Sequence, residues 1–275
     1  MKKIIFFASI IICSCSVFGS GQQEISKEYE LVGFSSVVNE SPANIEISIS
    51  SKFSVEAEGP ADFIDQLKIK TSGGDLIVEY KRGPFEVFTS YGNATVYISL
   101  PALEELQNVG PGDVDINSPI ENDFVIDNKG SGNVVFTDII AKNFSASING
   151  SGDFIGNKIV ADKAGFGFYG SGGADIKNID ADFLEVNING SGDFFAEGYA
   201  SRLDLNIFGS GEFECRRLII GNASVNLFGS GDIEFSAKDS APVKISSFGS
   251  GDIVIYGDPQ ILSKSLMGSG DLDIH

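Results

Sequence analysis

The sequence has no tryptophan, a single histidine and three cysteines among its 275 residues. The histidine is His275, the last residue, so a Ser-His or Cys-His catalytic pair and a histidine-based metal site are not expected in a folded interior. Cys215 is the one cysteine that follows the first 15 residues, which leaves neither an intrachain disulfide framework nor a thiolate metal cluster. We therefore expect no catalytic residues.

Basic residues are also scarce, with 19 Lys and Arg against 38 Asp and Glu and a formal net charge of −19. A nucleic acid partner is excluded, because phosphate binding requires clustered basic side chains. Arginine is sparse, and Arg216-Arg217 is interpreted as solvated surface. The acidic excess is interpreted as a means of keeping an exported protein soluble. Acidic residues arranged to hold cations are the alternative.

No segment after the N-terminus is long and apolar enough to span a membrane, and the N-terminal one is short. Lys2 and Lys3 precede a mostly apolar run at 4–12, which is typical of a signal peptide and predicts one within residues 1–23. The run ends in Ile12-Cys13-Ser14-Cys15, which resembles a bacterial lipobox with Cys15 as the lipidated residue. Ordinary cleavage near Val17-Phe18-Gly19 is the alternative. We expect export to the cell surface, the outer membrane or the periplasm, with the lipid anchor binding the membrane.

Glycine is abundant, with 33 residues, and most of the second half follows a repeat built on it. After a Gly110-Pro111-Gly112 variant, the tripeptide Gly-Ser-Gly recurs every 19 or 20 residues, starting at Gly130, Gly150, Gly170, Gly190, Gly209, Gly229, Gly249 and Gly268. Apolar residues alternate with polar ones on both sides of each tripeptide, which is a strand pattern. Such a short unit buries its apolar side only by stacking on its neighbours.

The sequence therefore predicts an all-β fold, a right-handed parallel β-helix or solenoid with coils of about 20 residues. Glycine is expected at the corners, where a turn and a stacked backbone leave no room for a side chain. The candidate corner glycines are Gly130, Gly132, Gly150, Gly152, Gly190, Gly192, Gly229 and Gly231.

Residues 24–108 lack the tripeptide but remain strand-like. Residues 67–78 are typical of a hairpin that turns at Ser72-Gly73-Gly74-Asp75, and a short helix is predicted at 60–66 with Asp62 as its cap. This section forms either the first coils or a β-rich cap over the end of the solenoid. The predicted divisions are 1–23, 24–108 and 109–275, with 24–275 as one continuous domain in the alternative.

Two columns of the repeat are candidate binding residues. An acidic residue usually follows the tripeptide, as at Asp153, Asp193, Glu212, Asp232, Asp252 and Asp271. Each carboxylate is interpreted as capping a turn by accepting backbone N–H groups, and calcium bound between stacked carboxylates is the alternative. No other cofactor is expected.

The second column directly precedes the tripeptide and includes Tyr169, Phe208, Phe228 and Phe248. Strict alternation would point these rings outward as a ligand-binding stripe. A bend at the corner would instead stack them in a secondary core, and this is the favoured interpretation. The spelling G-x-G-x-x-G at residues 165–170 is set aside as a dinucleotide site, because strand pattern lies on both sides of it.

Three stretches in order carry a family resemblance: Val32-Gly33-Phe34-Ser35-Ser36-Val37, then Phe53-Ser54-Val55-Glu56-Ala57-Glu58-Gly59-Pro60, then Val96-Tyr97-Ile98-Ser99-Leu100-Pro101 running into the repeats. Over about residues 30–274 the chain resembles the bacterial auto-transporter adhesin head GIN domain family. The resemblance implies an exported β-solenoid, often a lipoprotein, with a role in adhesion.

The sequence favours a non-enzymatic binding or structural protein that acts in adhesion or at the cell envelope, with a glycan or a surface protein as ligand. One alternative is a polysaccharide-active β-helix enzyme that uses a carboxylate pair. Another is an envelope scaffold or signalling component without an external ligand.

Overall fold

The computed structural model describes residues 23–81 and 94–275. In these residues the chain forms a β-solenoid of about 8 turns, with one short helix. The repeat coils contain strands β9 to β21, and the strands before them form the first coil and the end of the solenoid that faces the N-terminus.

The strands of the N-terminal section and the helix α1 have the following bounds: β1 Glu24–Glu28, β2 Ser36–Glu40, β3 Asn44–Ile49, β4 Ser54–Pro60, α1 Ala61–Ile64, β5 Leu67–Ser72, β6 Asp75–Tyr80, β7 Thr95–Leu100 and β8 Glu105–Asn108. Strands β2 and β3 pair in parallel with β8 and with the first repeat strand, and on their other side with β6 and β7. Strands β4, β5 and β1 then add antiparallel pairings beyond them. The section therefore contributes both a coil and the antiparallel strands that cover that end.

The repeat strands are β9 Val114–Ile116, β10 Phe124–Asn128, β11 Val134–Ile148, β12 Phe154–Phe168, β13 Ala174–Gly190, β14 Phe194–Gly209, β15 Phe213–Ile220, β16 Ala223–Gly229, β17 Ile233–Ala237, β18 Pro242–Gly249, β19 Ile253–Tyr256, β20 Gln260–Gly268 and β21 Leu272–Ile274. All of them pair in parallel with the equivalent strand one coil away, so that Phe144 lies opposite Ala164, and Ala164 lies opposite Leu184. The predicted stacking of coils of about 20 residues is confirmed.

The core runs through the solenoid as ladders of the inward residues. The residues two and four positions before the corner are buried in the central coils, as with Ile148, Ala146, Phe168 and Phe166. Phenylalanine rings from successive coils meet edge to face, with Phe144 and Phe166 centroids 5.6 Å apart. Burial of these rings, together with the aliphatic side chains of the same ladders, supplies hydrophobic stabilisation.

Glycine is required at the corners because the backbones of successive coils approach closely there. A Cβ on Gly130 would lie 1.9 Å from the carbonyl oxygen of Gly110, and one on Gly150 would lie 1.9 Å from that of Gly130. Higher in the stack, Gly229 also has a φ of 147°, which disfavours a side chain further.

An asparagine ladder explains one exception to the apolar pattern. Asn39, Asn108 and Asn128 are fully buried in successive coils. The Asn39 amide donates to Asn108 Oδ1 at 3.0 Å, and the Asn108 amide donates to Asn128 Oδ1 at 3.4 Å. The Asn108 and Asn128 amides also donate to the corner carbonyls of Gly112 and Gly132. These polar groups are therefore satisfied inside the core.

The smaller predictions for the N-terminal section have mixed outcomes. The hairpin is confirmed, since β5 and β6 are antiparallel and join through Gly73 and Gly74 at φ values of 69° and 102°. The helix is present as α1, but Asp62 as its cap is wrong. Pro60 occupies the N-cap position, without a side-chain hydrogen bond, and Asp62 lies inside the first turn. No helix in the described part of the chain is long and apolar enough to cross a membrane.

Candidate functional site

The outward side of the strands that lead into the Gly-Ser-Gly corners is the main candidate surface. We call it the pre-corner face. It is formed by β10, the second halves of β11 to β14, and strands β16, β18 and β20. Because the strands are in register, equivalent outward side chains form straight columns across the coils.

The column next to the corner forms an exposed aromatic stripe, which we define as Phe208, Phe228, Phe248 and Met267. The three phenylalanine side chains are 48%, 40% and 43% exposed. Their rings are stacked nearly parallel, with centroids 5.0 Å apart for Phe208 and Phe228 and 5.5 Å apart for the next pair. Met267 continues the column opposite Phe248.

This exposure corrects the favoured expectation of a secondary core. The alternation of inward and outward side chains continues up to the corner glycine, so the residue after a buried Ile207 or Leu227 points outward. The bend begins only at the glycine, too late to turn the rings inward.

Tyr169 lies in the same column but is not continuous with the stripe. Asn189 pairs with Phe208 and lies between the two coils. The Tyr169 ring instead leans over Gly167, where a Cβ would lie 3.1 Å from a ring carbon, and the side chain is 56% exposed. Tyr169 therefore belongs to a different part of the pre-corner face.

A ladder of outward asparagines stands two positions before the stripe. The Asn206 amide donates to Asn187 Oδ1 at 3.0 Å, and the Asn226 amide donates to Asn206 Oδ1 at 2.8 Å. Hydrogen bonds along the stack hold the side chains in a single arrangement. The stripe therefore lies beside an ordered row of polar side chains.

The acidic column is organised by hydrogen bonds between coils. Asp153 Oδ1 accepts from the backbone N–H of Gly173 at 2.8 Å, and Asp193 Oδ1 accepts from that of Glu212 at 2.9 Å. Asp232 bonds in the same way to the N–H of Asp252 at 2.8 Å. One oxygen of each of these carboxylates thus accepts a hydrogen bond from a backbone N–H of the next coil.

Glu212 lies near the carboxylates of Glu214, Asp193 and Asp232. A hydrogen bond with Glu214, followed by desolvation and by the nearby charges of Asp193 and Asp232, raises the pKa of Glu212 above its usual value. Among residues 23–81 and 94–275, no three His, Cys, Asp or Glu side chains are grouped to hold a metal ion. Calcium binding by the column stays the alternative interpretation.

The basic pair Arg216-Arg217 lies on another face, beside a buried thiol. Arg217 pairs with Glu197 at 2.8 Å, and the Arg216 guanidinium lies over the Tyr256 ring at 4.3 Å. Cys215 is buried, and desolvation raises the pKa of its thiol well above the usual value, which makes it a poor nucleophile. The two arginines of this cluster are therefore engaged in an ion pair and a cation–π contact, and the thiol is not activated for nucleophilic attack.

A groove on the pre-corner face was not predicted from the sequence. It has a volume of about 800 Å³ and lies between Val125 and Tyr169, over Ser145, Gly165 and Gly167. The available signal was a set of small residues at outward strand positions in two successive coils. Residues 165–170 match the nucleotide-binding motif in spelling alone, because strand β13, and no helix, follows Gly170.

Other predicted features lie outside the described residues. They are the lipidation candidate Cys15 and residues 1–22 of the predicted signal peptide.

The described residues form a β-solenoid repeat protein that carries an exposed aromatic stripe on one face. The chain matches the family described as "Putative auto-transporter adhesin, head GIN domain" over residues 33–157 and 154–259, and it belongs to that family. This confirms the resemblance and supports an adhesion-type role with an exported or surface location.

Solved structures similar to this chain share its fold. A putative lipid binding protein from Parabacteroides distasonis is 23% identical with a TM-score of 0.62, covering 94% of this chain and 98% of that one. A putative adhesin from the same organism is 18% identical with a TM-score of 0.66, covering 93% and 98%. A putative adhesin from Parabacteroides merdae is 19% identical with a TM-score of 0.63, covering 95% and 100%. No curated protein matches the sequence.

Proposed function

We propose that this chain is an exported, lipid-anchored, non-enzymatic β-solenoid that mediates adhesion or cell-envelope contact through its aromatic stripe. The anchor at Cys15 would hold the protein on a membrane, and the stack of coils would carry the stripe away from it. The ligand we propose is a glycan or a surface protein. Membership of the adhesin family and the adhesin-type folds of similar structures support this role.

The outward, stacked rings of Phe208, Phe228 and Phe248 are the observation that carries the proposal. The exposure of three aligned aromatic side chains is unfavourable. Covering them with a ligand would stabilise the complex by roughly 25 cal/mol per Å² of apolar surface removed from water. Exposed apolar patches with polar rims are typical of interaction sites. The neighbouring asparagine ladder supplies the polar rim.

Binding of the purified full chain to arrays of glycans and matrix proteins, with and without calcium, tests the proposal. We expect saturable binding that falls at least tenfold when Phe208, Phe228 and Phe248 are changed to Ser, with an unchanged circular dichroism spectrum. A matched control changes the exposed Ile140 and Ile219 on another part of the surface to Ser, and should bind as the wild type does.

Three other outcomes would change the proposal. Binding that requires calcium would make the acidic column functional. Absence of binding under both conditions would favour an envelope scaffold without an external ligand. Steady release of reducing sugar, abolished by a single Asp change, would favour the polysaccharide-active enzyme.

A further inference from the structure

The outward residue Gly165 in the middle of strand β12 has no role in the backbone fold. Its φ is outside the left-handed region, and a Cβ built on it would approach only the carbonyl oxygen of Phe144, at 3.9 Å. The parallel register continues through it, with Ser145 on one side and Glu185 on the other. In a strand interior, glycine costs about 0.5–1 kcal/mol relative to alanine.

This glycine differs from those at the corners. A side chain on Gly130 would collide with backbone, whereas one on Gly165 would project into open space. Glycine within a strand usually marks a bulge, a tight bend or the close approach of a ligand or another backbone. The register excludes a bulge at Gly165, its place in the middle of a strand excludes a corner, and the open space excludes another backbone of the described chain. Close approach of a ligand is the remaining cause.

The groove over Gly165 has the size and shape of a ligand site. Its volume of about 800 Å³ lies within the range of roughly 300–1,000 Å³ that small-molecule sites occupy. Two neighbouring pairs of small residues form the floor. Ser145 lies opposite Gly165, and Ser147 lies opposite Gly167. Val125 forms one wall.

Tyr169 provides an aromatic platform on the opposite wall. Its ring lies against the strand because Gly167 has no Cβ, which would lie 3.1 Å from a ring carbon. The ring remains more than half exposed, so one side is available to an apolar surface of a ligand.

The charged groups of the groove are either paired or hydrogen-bonded, and no cation is free. Lys163 Nζ lies 3.0 Å from Glu185. Asp123 accepts from the Asn143 side-chain amide at 2.9 Å and from two backbone N–H groups. An anionic ligand would therefore meet carboxylates without a cation to neutralise it. Hydroxyl groups suit this lining, because the carboxylates and amides accept and donate hydrogen bonds.

From these features we infer that the groove between Val125 and Tyr169 binds a neutral saccharide, with one C–H face of a pyranose ring on Tyr169 and its hydroxyl groups bonded to the side chains around Gly165. A sugar presents an apolar face and a polar edge together, which matches an aromatic wall beside hydroxyl, amide and carboxylate groups. This site is separate from the aromatic stripe, since Asn189 lies between Tyr169 and Phe208.

The inference is tested by titrating neutral trisaccharides of glucose, mannose, galactose and N-acetylglucosamine into the purified full chain, with calorimetric or NMR detection. We expect saturable binding of at least one trisaccharide. Gly165→Val should weaken it at least tenfold by filling the groove, while leaving the melting temperature equal or higher. Tyr169→Ala should weaken it to a similar extent, and Tyr169→Phe should retain it.

Ser224→Val is the matched control, because Ser224 occupies the same outward column three coils away and outside the groove. It should bind as the wild type does. Absence of saturable binding by every trisaccharide, binding that survives both Gly165→Val and Tyr169→Ala, or preferential binding of a lysine-rich peptide would each overturn the inference. Changes in the aromatic stripe, such as Phe228→Ser, should leave trisaccharide binding unchanged, so failure of the adhesion proposal is distinguishable.

Discussion

Asp252 Oδ1 accepts a hydrogen bond of 2.8 Å from the backbone N–H of Asp271, the residue that takes its place one coil later. The same bond links Asn133 to the N–H of Asp153 at 2.9 Å. The contact needs an acceptor oxygen and no negative charge. The acidic column therefore stabilises the stacking of successive coils through side-chain to backbone hydrogen bonds.

We expect Asp252→Asn to keep or slightly raise the stability of the protein, because the amide oxygen can still accept and the repulsion between stacked carboxylates falls. Asp252→Ala should lower the free energy of unfolding by about 1 kcal/mol through loss of the bond. Denaturant unfolding of both variants measures the difference. Equal stability of the Ala and Asn variants would show that the bond contributes nothing.

The pH dependence of stability should report on Glu212. Its pKa is raised from 4.5 in the fold, chiefly by the hydrogen bond with Glu214, so the folded state holds this proton more tightly than the unfolded state. The resulting stabilisation is present below about pH 4.5 and is lost as the pH rises through the folded pKa. We therefore expect Glu212→Gln to melt at a higher temperature than the wild type at pH 7.

Thermal unfolding followed by circular dichroism from pH 4 to pH 7 measures this effect. The gap between the Glu212→Gln variant and the wild type should close toward pH 4. Glu121→Gln removes the same charge from an exposed position elsewhere and serves as the control. A gap that is constant with pH, or equal in the control, would contradict the assignment to Glu212.

Substitution by alanine should have opposite effects on stability at a corner glycine and at the groove glycine Gly165. Gly229→Ala would place a Cβ 1.9 Å from the Gly209 carbonyl oxygen at a φ of 147°, and should cost more than about 3 kcal/mol or prevent folding. Gly165→Ala should stabilise the protein by up to about 1 kcal/mol. Soluble yield and denaturant unfolding measure both, and similar effects of the two changes would contradict the distinction.

The proposed lipid anchor predicts that membrane association depends on Cys15. Cys15→Ser should move the protein from the membrane fraction to the soluble fraction, because acyl chains supply the membrane affinity. Cys13→Ser should leave the fractionation unchanged. Mass spectrometry of the mature N-terminal peptide is the direct measurement, and a wild-type N-terminus at Ser20 without lipid would instead show ordinary signal-peptide cleavage.

Much of the core could be predicted from the repeat. A residue such as Phe144 or Ile148 recurs at a fixed distance from a corner, and in-register stacking makes every equivalent residue share one environment. Asn128 is a polar residue in a column that holds apolar side chains such as Ile148 in later coils. The buried side chain of Asn128 accepts a hydrogen bond from the Asn108 amide and donates one to the Gly132 carbonyl oxygen. The ladder begins at Asn39, which is 69 residues before Asn108 in the chain. No local pattern connects residues so far apart.

The sequence by itself determined the repeat length, the strand alternation and the need for glycine at the corners, because these depend on spacing and local backbone geometry. Only the tertiary structure decided the direction of the Phe208 and Phe228 rings, since a chain can bend either before or at a corner. It alone also placed Tyr169 over a groove around Gly165. A groove forms where adjacent strands carry small outward residues. Which strands are adjacent is decided only when the coils stack.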